Sequence, residues 1–257
     1  MTEISQADLT YWLGYFWWPF IRVTGFFLVA PIFGDKSISL KFRLYVALIA
    51  ATLLMPFQVG NKPFNPFVID TAFLTAIELF IGFLLGFAFS IFITIFTQAG
   101  QMISMQMGLA MAMMNDPKNG ISNSIISRIF LIGSILMFLA LDGHILMLSV
   151  LKNSYDVWPT GSLPNNQKLS DYLQLFSWLF IQSLILAMPA IAIMLTSNIT
   201  FGTLSKLAPS LNIFALGFPL TIVMGIAALT LSFFNLGDAF INASNILNDF
   251  LNKQFEQ

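Results

Sequence analysis

Residues 67–97 form an apolar run with only two charged side chains, Asp70 and Glu78. A run of this length exceeds the roughly 20 apolar residues that carry a helix across a bilayer. Similar runs occupy residues 9–33, 124–151, 169–204 and 211–235, with a shorter one at 44–59. Only 9% of the 257 residues are charged, against about 25% in an ordinary soluble domain. Backbone polar groups facing lipid must be satisfied within their own segment, which leaves helices or a closed barrel. Continuous apolar runs rather than alternating ones select helices. The expected fold class is therefore all-α: a multi-span helical membrane protein with long, broken helices, six crossing segments and an amphipathic tail.

Composition excludes several functions. Net charge is −1 and no long basic run occurs, so nothing supports nucleic-acid binding. Cysteine is absent and histidine occurs once, at His144, which removes thiol chemistry and multi-histidine metal sites. No metal or other cofactor is expected. No HExxH, Gly-x-Ser-x-Gly or phosphate-binding loop is present, and the chain reads as non-enzymatic. The N-terminal residues carry two acids and no base, unlike a cleaved signal peptide, so targeting is expected through the first span. The basic loop at 35–43, with Lys36, Lys41 and Arg43, favours an N-terminus outside the cytoplasm and this loop inside.

Punctuation divides the chain. Met55-Pro56 and the 61–66 stretch NKPFNP end the second segment, and 152–168, with two prolines and a glycine, is the clearest loop. It separates halves 1–151 and 169–257. In the tail, Leu236, Phe240, Ala243, Leu247 and Phe250 recur at helical spacing among polar neighbours. That helix is not basic, so packing on a partner or on the chain's own core is expected rather than attraction to anionic lipid.

Charged residues inside apolar segments are candidates for function. Arg22, Glu78, Arg128, Asp142, His144 and Lys206 are those residues here. Glu78 is expected to pair with Arg22, since a lone ionised carboxylate is unfavourable there. Asp142-Gly143-His144 is either a polar kink or part of a proton path. With Glu78 it would serve the alternative reading, a proton-coupled transporter or channel. Gly82 and Gly86 permit close helix approach or merely tolerate bulky neighbours.

The other candidate is the stretch 98–123. Six of the thirteen methionines lie between Met102 and Met114, ahead of the Asn115-Asp116-Pro117 break. On a helix, Met102, Met105, Leu109 and Met113 would fall on one face and Met107, Met111 and Met114 on the opposite one. The stretch is thus apolar all round or not one continuous helix. Methionine fills irregular gaps and adapts to changing neighbours, so a Met-filled buried helix and a compliant seal both remain open.

Several motifs in order resemble the FliR family of flagellar type III export-gate proteins, related to the SctT family of virulence secretion. They are WPFIRVTGFFLVAPIFG (18–34), KFR (41–43), QMGLAMAMMNDP (106–117), FLALDGHILMLSVLKNSYDVWPTG (138–161) and FGTLSKLAPSLNIFALGFP (201–219). Gly217-Phe218-Pro219 and Asp142-Gly143-His144 favour the flagellar branch. Lys206 stands where family members often carry Arg, which keeps charge and loses planar bidentate contacts.

The resemblance implies a gate subunit that assembles with FliP and FliQ and contacts FlhB. Unfolded flagellar substrates would cross there, at the flagellar basal body in the bacterial inner membrane, with lipid around the complex. It implies a helical assembly raised from the membrane plane, and a chain similar to a FliP-like half (1–151) fused to a FliQ-like half (169–257). It also implies a pore plug made by Gln106, Met107, Leu109, Met111, Met113, Met114, Asn115, Asp116 and Pro117.

Overall fold

The computed structural model describes residues 6–35, 37–58, 64, 68–109, 124–207 and 213–255. Among them the chain is helical, with no strand. Helices α1 (Gln6–Val29) and α2 (Leu40–Leu54) are followed by a short 3-10 turn (Met55–Phe57). Then come α3 (Ile69–Gln106), α4 (Ile125–Ala140), α5 (Gly143–Val157), α6 (Asn166–Leu207), α7 (Ile213–Phe234) and α8 (Leu236–Phe255).

The sequence reading changes in three places. First, α2 begins at Leu40, inside the expected loop 35–43, because the Ser39 hydroxyl accepts the Phe42 N–H and caps the helix. Second, α5 persists to Val157 and α6 starts at Asn166, so the loop expected over 152–168 is shorter. Third, among the described residues fewer than the six expected segments have the length and apolarity of a membrane crossing. Among the described residues, Leu40–Phe57, Ile69–Gln106 and Asn166–Leu207 are long and apolar enough to cross a membrane. The count rises to five if the bent pairs Ile125–Ala140 with Gly143–Val157 and Pro219–Phe234 with Leu236–Phe255 each make one span. The fourth apolar segment is broken by Asp142, whose φ of 56° is left-handed, and α1 is diluted by Trp, Tyr, Pro19 and Arg22.

The chain clusters into two compact units, one of Met1–Ile91, Phe138–Leu175 and Ile246–Gln257, the other of Phe92–Met137 and Phe176–Asn245. In the first, α1 lies flat on α3. A Cβ at Gly82 would fall on the backbone oxygen of Arg22, and one at Gly86 on that of Phe26. The two glycines therefore exist for close approach. Phe26 then meets Phe89 edge to face, centroids 5.8 Å apart. In the second, Phe92, Phe96 and Phe240 form a buried aromatic cluster with centroids 5.0–5.6 Å apart.

The amphipathic tail packs on this chain. Leu236, Phe240, Ala243, Leu247 and Leu251 are buried, while Phe250 is half-buried, its ring 5.1 Å from that of Tyr172. The end of α8 is pinned by Lys253 Nζ to Asp171 at 3.1 Å and by Lys168 Nζ donating to the Gln254 carbonyl at 2.7 Å.

Gly82→Leu inserts side-chain atoms into the α1 backbone, which cannot yield as a side chain would. Overpacking of this kind costs about 1–3 kcal/mol or more. The thermal unfolding midpoint of the purified protein should fall clearly, whereas Gly202→Ala, with open space at its Cβ, should leave it nearly unchanged.

Candidate functional site

The methionine stretch rises from a fixed base. Helix α3 stops at Gln106, and three residues close its end. The Gly108 N–H donates to the Met105 carbonyl at 3.1 Å and the Leu109 N–H to that of Ser104 at 3.2 Å. Gly108 has φ +75°. This paired pattern with a left-handed glycine is a Schellman stop, which satisfies carbonyls that the helix leaves open. Of the residues on the two opposed faces, Met102 and Met105 lie on α3, while Met107 and Leu109 follow its end.

The chain returns at Ser124. Its hydroxyl accepts the Ser127 N–H at 3.1 Å and caps α4. Its own N–H donates to Gln101 Oε1 at 3.2 Å, and the Ser127 hydroxyl donates to the Thr97 carbonyl at 3.0 Å. A Cβ at Gly100 would meet Ser127 Cα at 2.8 Å, so the two helices touch backbone to backbone. The return of the stretch is therefore tied directly to α3, two turns before that helix ends.

Of the residues that resemblance assigns to a plug, Gln106 is exposed at the end of α3 and Leu109 is half-buried. Met107 is 2% exposed, and its Cγ, Sδ and Cε fill the space that a Cβ at Gly225 would need. Met111, Met113, Met114, Asn115, Asp116 and Pro117 lie outside the described residues.

The intramembrane charges separate into different environments. Arg22 and Glu78 are fully buried and paired, Nε to Oε2 at 2.7 Å. Arg22 Nη1 donates to Ser154 Oγ at 3.0 Å and Nη2 to the Trp158 carbonyl at 2.9 Å. Its guanidinium carbon lies 4.1 Å from the Tyr155 ring centroid. Glu78 Oε1 accepts the Gly161 N–H at 2.9 Å. One ion pair thus fastens α1, α3, the end of α5 and the following turn.

Asp142 and His144 are exposed at the α4–α5 break. The Asp142 carbonyl accepts the Ile145 and Leu146 N–H groups, which makes the residue the N-cap of α5 at a 69° bend, and Asp142 has no ion-pair partner among the described residues. Arg128 is exposed in the first turn of α4, and Lys206 is exposed in the last turn of α6. No cluster of metal-ligating side chains occurs among the described residues.

Sequence reasoning reached Arg22 and Glu78 but missed Ser154, Tyr155, Trp158 and Gly161. It also missed Gln101, Ser124, Ser127 and Gly225. A serine starting the apolar run at 124, with a second at 127, was the one available capping signal.

Residues 13–246 match the family of bacterial export proteins, family 1. The chain is 31% identical to the flagellar biosynthetic protein FliR of Pectobacterium carotovorum, over 90% of this chain and 88% of that one. It is 30% identical to FliR of Escherichia coli K12, over 88% and 87%. It is 28% identical to the surface presentation of antigens protein SpaR of Shigella flexneri, over 80% of each.

Arg22→Ala would strand the Glu78 carboxylate. Breaking a buried pair this way costs about 3–5 kcal/mol, whereas replacing both partners with apolar residues is often neutral. The thermal midpoint of the purified protein should drop steeply for Arg22→Ala and recover largely in Arg22→Met/Glu78→Met. Gly108→Ala meets no neighbour, so only the left-handed backbone opposes it, by about 1–2 kcal/mol. Gly108→Asn should restore part of that loss in the same measurement.

Proposed function

This chain belongs to the bacterial export proteins, family 1, and we propose that it is a structural and gating subunit of the flagellar type III protein export gate. The observation that carries the gating part is the anchored base: a methionine-rich stretch leaves α3 at Gly108, where the Met105 and Ser104 carbonyls close the helix, and returns at Ser124, which α3 holds through Gln101 and, by way of Ser127, Thr97. Such a stretch can yield without unpacking the helices that carry it. A dry apolar constriction opposes ion passage, and unbranched methionine side chains adapt to a passing chain with little strain. Gln106, Met107, Leu109, Met111, Met113, Met114 and the Asn115-Asp116-Pro117 turn are the proposed plug. Met107 is its anchor, seated on Gly225.

The subunit works without enzymatic chemistry, in complex with FliP and FliQ and in contact with FlhB, in the bacterial inner membrane at the flagellar basal body. Its cargo is unfolded flagellar subunits. Halves 1–151 and 169–257 are read as FliP-like and FliQ-like. Apolar side chains such as Phe180, Ile181, Ile185 and Met188 stand exposed along α6, which suits a chain whose faces meet other subunits as well as lipid.

The transporter reading has no such support. Glu78 is sealed in an ion pair, while Asp142 and His144 are exposed at a kink. The relatives are named for flagellar biosynthesis and antigen presentation, not for transport of a solute.

Two outcomes test the proposal. The protein should purify as a stable complex with FliP and FliQ, and isolation as a proton-conducting monomer would contradict the role. Deleting residues 110–114, which spares Met107 and the Gly108 stop, should raise the ion conductance of membranes holding the assembled complex several-fold. Unchanged conductance in an assembled complex would reject the plug.

A further inference from the structure

In the first compact unit, α2 and α5 pack together beside α1 and enclose a cavity of about 200 Å³. Phe27 and Phe33 form its floor, with Val46, Ile49 and Leu53 along one wall and Met147 on the other. The cavity is open to the outside: Ile49 is 59% and Leu53 62% exposed. Its lining is hydrocarbon throughout except for His144. Lys152 Nζ stands 4.5 Å from the Phe57 ring centroid. His144, two turns before Lys152, therefore lies toward the start of α2.

That start carries cations. Arg43 precedes Val46 by one turn on the same face, so it lies at the mouth of the cavity. Its Nη2 donates to the Asp35 carbonyl at 3.2 Å, close in sequence to Phe33 on the floor. Its Nε is buried and has no acceptor among the described residues. A guanidinium has five N–H donors, and among the described residues one of them has an acceptor. Lys41 is exposed two residues earlier. The nearby carboxylate of Asp35 is engaged by the Ser37 N–H at 2.7 Å.

We propose that this cavity is a binding site for one anionic phospholipid, with an acyl chain between α2 and α5 and its phosphate on Arg43. Three observations join in this reading. The lining is that of a hydrocarbon ligand. Arg43 and Leu53 are about 15 Å apart along α2 at 1.5 Å per residue, a distance an extended acyl chain can follow from the guanidinium into the cavity. Arg43 opens the segment Leu40–Phe57, which is apolar enough to cross a membrane, and so stands at headgroup depth. A guanidinium meets a phosphate through paired, charge-assisted hydrogen bonds. Lys41 adds a second positive charge at the same level.

The protein, purified in whatever complex it forms, is placed in bilayer discs of equal parts phosphatidylglycerol and phosphatidylethanolamine, and retained lipid is read by native mass spectrometry. The wild type should retain phosphatidylglycerol in preference. Arg43→Gln should lower that preference about tenfold, the loss of one charge-assisted contact, and Arg43→Lys should keep part of it. Ile49→Trp fills the groove from an exposed position and should lower retention of both lipids. Equal phosphatidylglycerol retention in wild type and Arg43→Gln would overturn the proposal. So would unchanged retention in Ile49→Trp, which decides the matter if the Arg43 variant fails to fold. A photo-crosslinker at position 49 that captures protein instead of lipid would also overturn it, in favour of a partner subunit on this face.

Discussion

A guanidinium buried among apolar helices must find replacements for all the water it gives up. Arg22 finds them in Glu78, Ser154, the Trp158 carbonyl and the Tyr155 face. Glu78 in turn accepts the Gly161 N–H. The partners come from α3, the end of α5 and the turn beyond it, so satisfying one charge fixes these parts of the first compact unit to α1. The pair adds little net stability over an apolar substitute, because desolvation offsets most of the Coulomb attraction. Its consequence is geometric: alternative packings would leave a charge uncompensated. The backbone contact through Gly82 and Gly86 brings α1 close enough to α3 for the pair to form.

How far this could be read from sequence follows the range of each interaction. Helix and tail were legible because apolar periodicity is local, and the 236–255 helix starts where the apolar run 211–235 ends. The Arg22–Glu78 pairing was legible because few charges were available to choose from. The turn around Trp158–Gly161 was not, since its carbonyl and amide are chosen by tertiary packing and carry no side-chain signature. Asp142 illustrates the limit in another way. As a polar kink it could be anticipated, but its left-handed backbone breaks an apolar segment that hydropathy reads as one span. Hydropathy likewise overestimated α1, whose aromatic and proline residues lower its apolarity.

The methionine stretch was conspicuous by composition, yet its anchoring was invisible there. Gly108 and Ser124 mark the two ends, and the return end is tied to the body of α3 through Gln101 and Thr97, residues without any distinguishing pattern. Polar contacts at the base with methionine beyond it separate two tasks. In the proposed plug the hydrogen-bonded base would hold position while the methionine side chains adapt. This division suits a seal that must exclude ions and still give way to a polypeptide.

The most direct test is an image of the assembled complex at side-chain resolution, with residues 106–123 traced. For the proposed plug, the expected image has Met107 on Gly225 at the wall of a central channel and the following methionines across its lumen. A traced stretch lying on the outer, lipid-facing surface of the complex would contradict it.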